Sequence, residues 1–265
     1  LKERRRRERR FARILFVILL LVLLGSFLWL TWQPYVRISH VTISSNDPQL
    51  LALVEKQIGG TYLGIVPHDS FFFTPTRAIR AAIIGADPRI QAVSIKLESL
   101  TSLSVSLHER VPVARWCGLQ KTPGVEEYCY LFDAEGYVYA ASDVATSTLP
   151  LNSFAVYDTL AGDTQEPLRA TLAHAKQFPD LFDFVRRVGS HGSSADTVTI
   201  RGDEADILLL SHTRITYVLG TEESSFADLA SAGTKGSLAD GSLEYIDLRF
   251  PGKVYLKRRD GTVVE

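Results

Sequence analysis

The strongest hydrophobic pattern in the chain is an apolar run at residues 14–32, which contains no charged side chain. Its nineteen residues would extend about 29 Å as an α-helix, close to the thickness of the hydrocarbon core of a bilayer. Residues 1–13 contain eight basic side chains, whereas only Arg37 closely follows the run. Because basic flanks stay in the cytoplasm, the pattern predicts a basic cytoplasmic tail at 1–13, a transmembrane helix at 14–32 and an extracytoplasmic remainder.

A cleaved signal peptide and a buried core helix are the two alternatives to a membrane anchor. A signal peptide has a shorter apolar core, which is followed by a cleavage site made of small residues. Here the run ends in bulky and aromatic residues, among them Trp29, Trp32 and Tyr35, which are typical of a membrane interface. The sequence therefore favours an uncleaved anchor that contacts the lipid bilayer through residues 14–32.

Residues 38–110 combine strand and helix patterns. Val41 and Ile43 alternate with polar residues, as in a half-buried strand. Asp47 and Pro48 are typical of a helix start, and a second helix is predicted from Thr74. Two alternating segments, 90–97 and 103–108, then predict an antiparallel hairpin. The order β-α-α-β-β predicts a two-layer domain in which two helices pack on a mixed three-stranded sheet.

Residues 111–258 carry mainly short strand patterns with flanking helices. The predicted strands form a hairpin at 128–139, a meander at 197–200, 207–210 and 215–219, and two final strands at 245–250 and 253–257. The predicted helices are 166–178, with Leu168, Leu172 and Ala175 on its buried face, and 222–232. The fold class is thus α+β: one transmembrane helix, the β-α-α-β-β domain, and a mostly antiparallel β domain with flanking helices. Residues 259–265 are predicted as a short C-terminal tail.

The charge distribution bears on the class of partner. The formal net charge is −1, but residues 1–13 hold eight basic and two acidic side chains. This leaves 21 basic against 28 acidic side chains in residues 14–265, a formal charge of −7. A nucleic-acid surface would require a basic face, so no nucleic-acid partner is expected.

Cys117 and Cys129 are the two cysteines of the chain. They lie close together in sequence, in a part of the chain predicted to be extracytoplasmic, where a disulfide can persist. They are therefore candidates for a disulfide. Two cysteines without a neighbouring histidine or third cysteine fall short of a tetrahedral metal site, so no metal is predicted.

The sequence contains no recognisable catalytic motif. The six histidines are scattered singly, and none has the spacing of a zinc site. Residues 191–196 include His191, Ser193 and Asp196, but a catalytic triad is assembled in space and not along one turn. No phosphate-binding loop is found. We therefore expect no catalytic residue, cofactor or small-molecule substrate, and a non-enzymatic, protein-binding role.

Four short motifs carry a resemblance to a known family. They are Asp87-Pro88-Arg89-Ile90, Glu109-Arg110-Val111-Pro112-Val113-Ala114-Arg115-Trp116, Leu131-Phe132-Asp133-Ala134-Glu135-Gly136-Tyr137-Val138 and Tyr245-Ile246-Asp247-Leu248-Arg249-Phe250. In this order, behind a basic tail and one membrane helix, they resemble the FtsQ/DivIB family of bacterial cell-division proteins. The resemblance covers nearly the whole chain.

The resemblance implies a fold, a location and partners. Residues 38–110 would be a POTRA domain and residues 111–258 the β domain of a scaffold of the division machinery in the plasma membrane, at the division site. In the family, FtsB and FtsL partners dock beside the C-terminal strands, partly by strand addition to the sheet edge. Carried onto matching positions, this nominates Arg249, Phe250, Gly252, Lys253, Val254, Tyr255 and Leu256. The alternative for Phe250, Val254 and Leu256 is that they fill the core of the domain.

Two other functional classes remain open from the sequence. One is a membrane-anchored hydrolase of the cell envelope, which would require a deep polar pocket with convergent Ser, His and Asp side chains. The other is a POTRA-type component of polypeptide transport, in which the small domain would escort chains by strand addition.

Overall fold

The computed structural model describes residues 2–121, 128–142, 154–162, 164 and 166–264. The chain divides into two compact units, Leu1–Glu109 and Arg110–Glu265. The division falls directly after Glu109, the first residue of the motif Glu109 to Trp116.

The first helix, α1, spans Lys2–Thr31. Its segment Phe11–Thr31 is long and apolar enough to cross a membrane, and its large apolar side chains are exposed rather than packed in a core. The helix begins at Lys2, so the segment predicted as a basic tail continues the same helix. A 3-10 turn, Pro34–Val36, follows.

The rest of the first unit contains five strands and two helices. They are β1 His40–Ile43, α2 Pro48–Ile58, β2 Thr61–Tyr62, β3 Val66–Pro67, α3 Thr76–Ala86, β4 Ile90–Leu97 and β5 Ser102–Glu109. The predicted start of α2 is confirmed, since the Asp47 side chain accepts a hydrogen bond from the backbone N–H of Gln49 at 2.8 Å. The β2–β3 hairpin, which lies between the two helices, was not predicted.

The sheet of the first unit is mixed, as predicted. Its strand order is β1-β5-β4, with β1 parallel and β4 antiparallel to the central strand β5. The buried side chains of α2, α3 and the sheet form one core, made of Ile38, Leu50, Val54, Ile58, Ile79, Ile83, Ile90, Val93, Leu103 and Val105. Both helices therefore contribute to one layer that covers the sheet.

The second unit is built on a large sheet. Its strands are β6 Ala114–Trp116, β7 Tyr130–Phe132, β8 Val138–Ala141, β9 Ala155–Tyr157, β10 Ala195–Arg201, β11 Glu204–Leu209, β12 Arg214–Val218, β13 Leu243–Asp247, β14 Tyr255–Arg258 and β15 Val263–Val264. Among the described residues the order is β15-β14-β13-β12-β11-β10-β9-β6-β7-β8. The pairs β12–β13, β9–β10 and β6–β9 are parallel and the others antiparallel, so the sheet is mostly antiparallel, as predicted.

In the described part of the second unit, three α-helices accompany this sheet: α4 Phe178–His191, α5 Glu222–Ser231 and α6 Lys235–Ala239. Helix α4 supplies a row of aromatic side chains to the core. The rings of Phe178 and Phe182 stack at 5.2 Å between centroids, and Phe184 lies 4.5 Å from the ring of Tyr217. Burial raises the pKa of the Tyr217 hydroxyl well above its usual value.

The prediction of a helix at residues 166–178 is wrong. The structure has only a 3-10 turn, Ala175–Gln177, and the α-helix starts at Phe178. The preceding segment pairs with other parts of the chain, through the bridges Leu160↔Leu172 and Tyr137↔Thr171. Leu172 and its neighbours therefore use their backbone groups in long-range pairing, and the helix begins where proline fits its first turn.

The predicted helix at residues 222–232 is confirmed as α5. Two further elements were missed. Helix α6 lies between the predicted helix at 222–232 and the predicted strand at 245–250. Strand β15 lies within the predicted C-terminal tail.

Candidate functional site

The nominated residues lie at one end of the large sheet, in the turn after β13 and in β14. Strand β14 pairs antiparallel with β13, with Ile246 opposite Leu256 and Asp247 opposite Tyr255. The turn between these strands begins at Leu248. The structure therefore brings all seven nominated residues into one hairpin, which we call the C-terminal hairpin (residues 243–258).

Alternate residues of the C-terminal hairpin have different surroundings. Val254 and Leu256 are partly buried and pack against the main core of the unit, so they have the structural role that the sequence left open. Phe250 does not, because half of its surface (50%) is exposed. Its ring lies 5.5 Å from that of Tyr255, and the Lys253 Nζ lies 5.9 Å from the Tyr255 ring centre. We call Phe250, Lys253 and Tyr255 the aromatic cluster.

An ion-pair network fixes the start of the turn. Arg249 Nη2 donates to Asp247 Oδ2 at 2.7 Å, and Arg249 Nη1 donates to Glu204 Oε1 at 3.0 Å. The hydrogen bond from Arg249 lowers the pKa of Asp247, and both carboxylates raise the pKa of Arg249. Arg249 is thus engaged within the unit and holds the turn against β11.

The far side of the turn is attached to helix α5. Gly252 has a φ of +73°, a conformation that favours glycine. Its backbone N–H donates to Asp228 Oδ2 of α5 at 3.0 Å. Hydrogen bonds therefore attach both ends of the turn that carries Phe250 and Lys253 to other parts of the second unit.

Strand β15 occupies the side of β14 that the sequence predicted as the edge of the sheet. Leu256 pairs with Val264 and Lys257 with Val263. The connecting turn is closed by a hydrogen bond from Arg258 N–H to the Thr262 carbonyl at 2.8 Å. Among the described residues, the outermost strand at this end is therefore β15, which pairs with β14.

Cys117 and Cys129 are joined by a disulfide. Cys117 directly follows β6 and Cys129 directly precedes β7, so the bond closes the connection between two paired strands. Both cysteines are buried. In the order of strands, this disulfide lies near the opposite end of the sheet from the C-terminal hairpin.

The structure gives separate roles to the histidine, serine and aspartate of residues 191–196. Ser193 Oγ accepts a hydrogen bond from the backbone N–H of Ser211 at 3.1 Å. Asp196 pairs with Lys121 at 3.2 Å. The ring of His191 lies 5.8 Å from that of Phe226. These contacts attach the turn to neighbouring elements.

A pair formed by a buried aspartate and a partly buried histidine was not predicted from the sequence. Asp158 Oδ1 lies 2.7 Å from His174 Nδ1, and Asp158 Oδ2 accepts a hydrogen bond from the His174 backbone N–H at 3.2 Å. The backbone carbonyl of Asp158 accepts a hydrogen bond from Trp116 Nε1 at 2.8 Å. No local pattern marks this pair, because it joins two irregular segments that are distant in sequence.

Two motifs of the family resemblance meet in the structure at Arg110. This residue forms an ion pair with Asp133, and its guanidinium lies 4.0 Å from the centre of the Tyr137 ring. Asp133 Oδ1 also accepts hydrogen bonds from the backbone N–H groups of Glu135 and Tyr137, each at 3.0 Å. Both motifs therefore help to shape the β7–β8 hairpin.

Comparisons of this chain with models of known protein families and with curated protein sequences find no match.

Proposed function

We propose that this protein is a membrane-anchored, non-enzymatic scaffold of bacterial cell division, of the FtsQ/DivIB type. In this proposal the second unit binds FtsB-like and FtsL-like proteins at the edge formed by β14 and β15. The observation that carries the proposal is the aromatic cluster, in which Phe250 is half-exposed and Tyr255 partly exposed, in the hairpin that precedes the outermost described strand of the sheet.

Helix α1 supports the anchoring part of the proposal. Its segment Phe11–Thr31 has the length and composition of a membrane span. The eight basic residues of positions 1–13 favour a cytoplasmic N-terminus. The part of the first unit that follows α1 and the whole second unit then lie outside the cytoplasm, where the disulfide between Cys117 and Cys129 is stable.

The first unit supports a POTRA-like role. Its principal strands and helices follow the order strand, helix, helix, strand, strand, and its sheet has the order β1-β5-β4. We propose that residues 38–110 form a POTRA-like domain that contributes to recruitment, as the family resemblance implies.

The C-terminal hairpin supports partner binding by strand addition. Outermost strands present backbone donors and acceptors that another chain can use. In the same hairpin, Phe250 and Tyr255 offer aromatic surface. Aromatic residues contribute disproportionately to binding energy at protein interfaces. Backbone pairing would supply affinity, and the aromatic cluster would supply specificity for a partner strand that carries apolar side chains.

The substitution Tyr255→Glu tests this assignment. The purified full-length protein in detergent micelles is titrated with the FtsB-like protein of the same organism. Loss of an interface aromatic that acts as a hot spot weakens binding by about 2 kcal/mol or more, roughly 30-fold in Kd. We expect a loss of this size, with unchanged thermal unfolding.

Tyr128→Glu is the matched control. Tyr128 belongs to the same unit and is 87% exposed, but it directly precedes Cys129, far from β14 in the order of strands. The control variant is expected to bind as the unmodified protein does. Equal affinity of the folded Tyr255→Glu variant and the unmodified protein would contradict the assignment.

A further inference from the structure

The β2–β3 hairpin of the first unit presents apolar side chains at its tip. Leu63 is 96% exposed and Ile65 is 54% exposed. The tip is a three-residue loop, 63–65, and the Ile65 N–H donates a hydrogen bond to the Tyr62 carbonyl at 2.9 Å. An exposed leucine at the end of a hairpin gains nothing from packing within the unit, so its apolar surface requires another explanation.

The backbone of the tip makes leucine still more unusual. Leu63 has a φ of +50° and Gly64 a φ of +73°, as at the two central positions of a type I′ turn. Asparagine or glycine is preferred at the first of these positions, because glycine has no Cβ and the short polar side chain of asparagine can hydrogen-bond locally, whereas a bulky side chain is strained at positive φ. Leu63 is thus unfavourable both for local conformation and for exposure to water.

The hairpin is attached to the end of α1. The indole Nε1 of Trp32, directly after the helix, donates a hydrogen bond to the Ile65 carbonyl at 2.8 Å. The ring of Phe27 in α1 lies 5.9 Å from the ring of Phe72 and 6.2 Å from that of Phe73. The tip of the hairpin and the two phenylalanines that follow it therefore lie beside the last turns of the helix.

The position of Phe27 along the helix sets the depth of these contacts. Phe27 precedes the helix end at Thr31 by four residues, which is about 6 Å along the axis. The 21 residues of Phe11–Thr31 extend about 31 Å, roughly the thickness of the hydrocarbon core. In a helix that spans the hydrocarbon core over these residues, Phe27 lies about 6 Å inside the outer boundary of the core, and its ring partners Phe72 and Phe73 lie close to the same level.

We infer that the β2–β3 hairpin is a second membrane contact, which inserts Leu63 and Ile65 into the outer interface of the bilayer that α1 spans. The proposed occupant is lipid, because Trp32 joins the hairpin to the end of the membrane helix. Phe27 joins the nearby Phe72 and Phe73 to the same helix. Burial in the interface removes the apolar tip from water and offsets the strained turn. The inference rests on the membrane-spanning role of α1 in the proposed function, but on no division partner.

Spin labelling in pure lipid vesicles tests the inference. Single cysteines replace Leu63, Asn46 or Leu20 in the full-length protein, and nitroxide labels are attached without reductant, so that the disulfide is preserved. The vesicles contain phosphatidylcholine and phosphatidylglycerol. Collisions with oxygen, which concentrates in lipid, are compared with collisions with a water-soluble nickel chelate. Asn46 is an exposed residue between β1 and α2, and Leu20 lies within α1.

We expect the ratio of oxygen to nickel collisions to be several-fold higher for the labels at 63 and 20 than for the label at 46. A label at 63 as accessible to nickel as the label at 46 overturns the inference, and so does a label protected from both reagents, which would indicate a protein cover. If the label at 20 is also accessible to nickel, the anchor itself fails. If the label at 20 is in lipid and that at 63 is in water, only the hairpin contact fails.

The substitution Leu63→Asn provides a second test. Asparagine suits a positive φ, so the turn is retained, whereas its apolar surface is lost. With the label moved to Ile65→Cys, we expect Leu63→Asn to lower the oxygen-to-nickel ratio several-fold. An unchanged ratio would show that the hairpin does not depend on its apolar tip for membrane contact.

Discussion

The ion pair between Arg110 and Asp133 gives a quantitative prediction for the stability of the second unit. The side chain of Asp133 is 4% exposed and that of Arg110 is 14% exposed. Removing one partner of a buried pair costs about 3–5 kcal/mol, because the other charge is left uncompensated. The lower value applies here, since Arg110 keeps the Tyr137 ring at 4.0 Å and the Glu135 carboxylate, whose Oε2 lies 3.8 Å from Arg110 Nη1.

Two substitutions separate the contribution of the Asp133 charge from that of its hydrogen bonds to the turn. Asp133→Asn removes the charge but keeps an oxygen that accepts the N–H groups of Glu135 and Tyr137, so we expect a loss of about 3 kcal/mol. Asp133→Ala also removes both backbone hydrogen bonds, each worth about 1 kcal/mol. The expected loss for alanine is therefore about 5 kcal/mol.

Thermal unfolding in detergent micelles, followed by near-UV circular dichroism, measures these losses. For a domain of this size each kcal/mol lowers the Tm by about 2–4 °C, so we expect decreases of about 6–12 °C for asparagine and more for alanine. Asp183→Ala is the control, because its pair with Arg186 is exposed on both sides and contributes less than about 1 kcal/mol. An Asp133→Ala variant as stable as this control would refute the reasoning.

Two further predictions concern the turns of the second unit. Gly136 has a φ of +73°, and a Cβ there would collide with that of Ala175, so Gly136→Ala should lower stability by about 2 kcal/mol or more. Gly202→Ala, at a φ of +63° with open space around it, should cost only about 1 kcal/mol; equal melting temperatures of the two variants would contradict this. Arg249→Gln removes the group that lowers the pKa of Asp247. A carboxyl group whose pKa is lower in the folded than in the unfolded state stabilises the fold at pH values above its unfolded-state pKa. This stabilisation is lost as the pH falls through its folded-state pKa. The variant should therefore be less stable at neutral pH by under about 1 kcal/mol, and its melting temperature should converge with that of the unmodified protein in acid. A constant difference across this range would contradict the assignment.

Elements that depend on local signals could be predicted from the sequence. Helix α2 is an example, because Asp47 and Pro48 mark its start and the glycine pair at 59 and 60 follows its end. The β4–β5 hairpin is another, since both strands alternate clearly and are neighbours in sequence. In these segments the local preference and the tertiary structure agree.

Elements that depend on distant pairing could not be predicted. Strand β9 is three residues long and lies between β10 and β6, to both of which it is parallel. Leu168, Leu172 and Ala175 have helical spacing, but the bridge between Leu160 and Leu172 keeps this segment irregular. A three-residue strand and an isolated bridge are too short to show a periodic pattern, and their partners are not neighbours in sequence, so neither segment marks the pairing.

Only part of the candidate site could be predicted, because one of its strands is also defined by pairing rather than by a local pattern. Its residues in β14 carry an alternating pattern, which correctly suggested a strand near the end of the chain. Strand β15 is two residues long and is defined by its pairing with β14, so no signal of its own marks it. The sequence thus located the end of the sheet but not its outermost strand.

Depletion of the protein in its own organism, combined with imaging of a fluorescent fusion, tests the central claim most directly. If the protein is a division scaffold, depleted cells should grow as filaments without septa, and the fusion should concentrate at mid-cell before constriction. A fusion carrying Tyr255→Glu should fail to restore division, whereas one carrying Tyr128→Glu should restore it. Normal division after depletion, with the fusion spread evenly around the envelope, would contradict the claim.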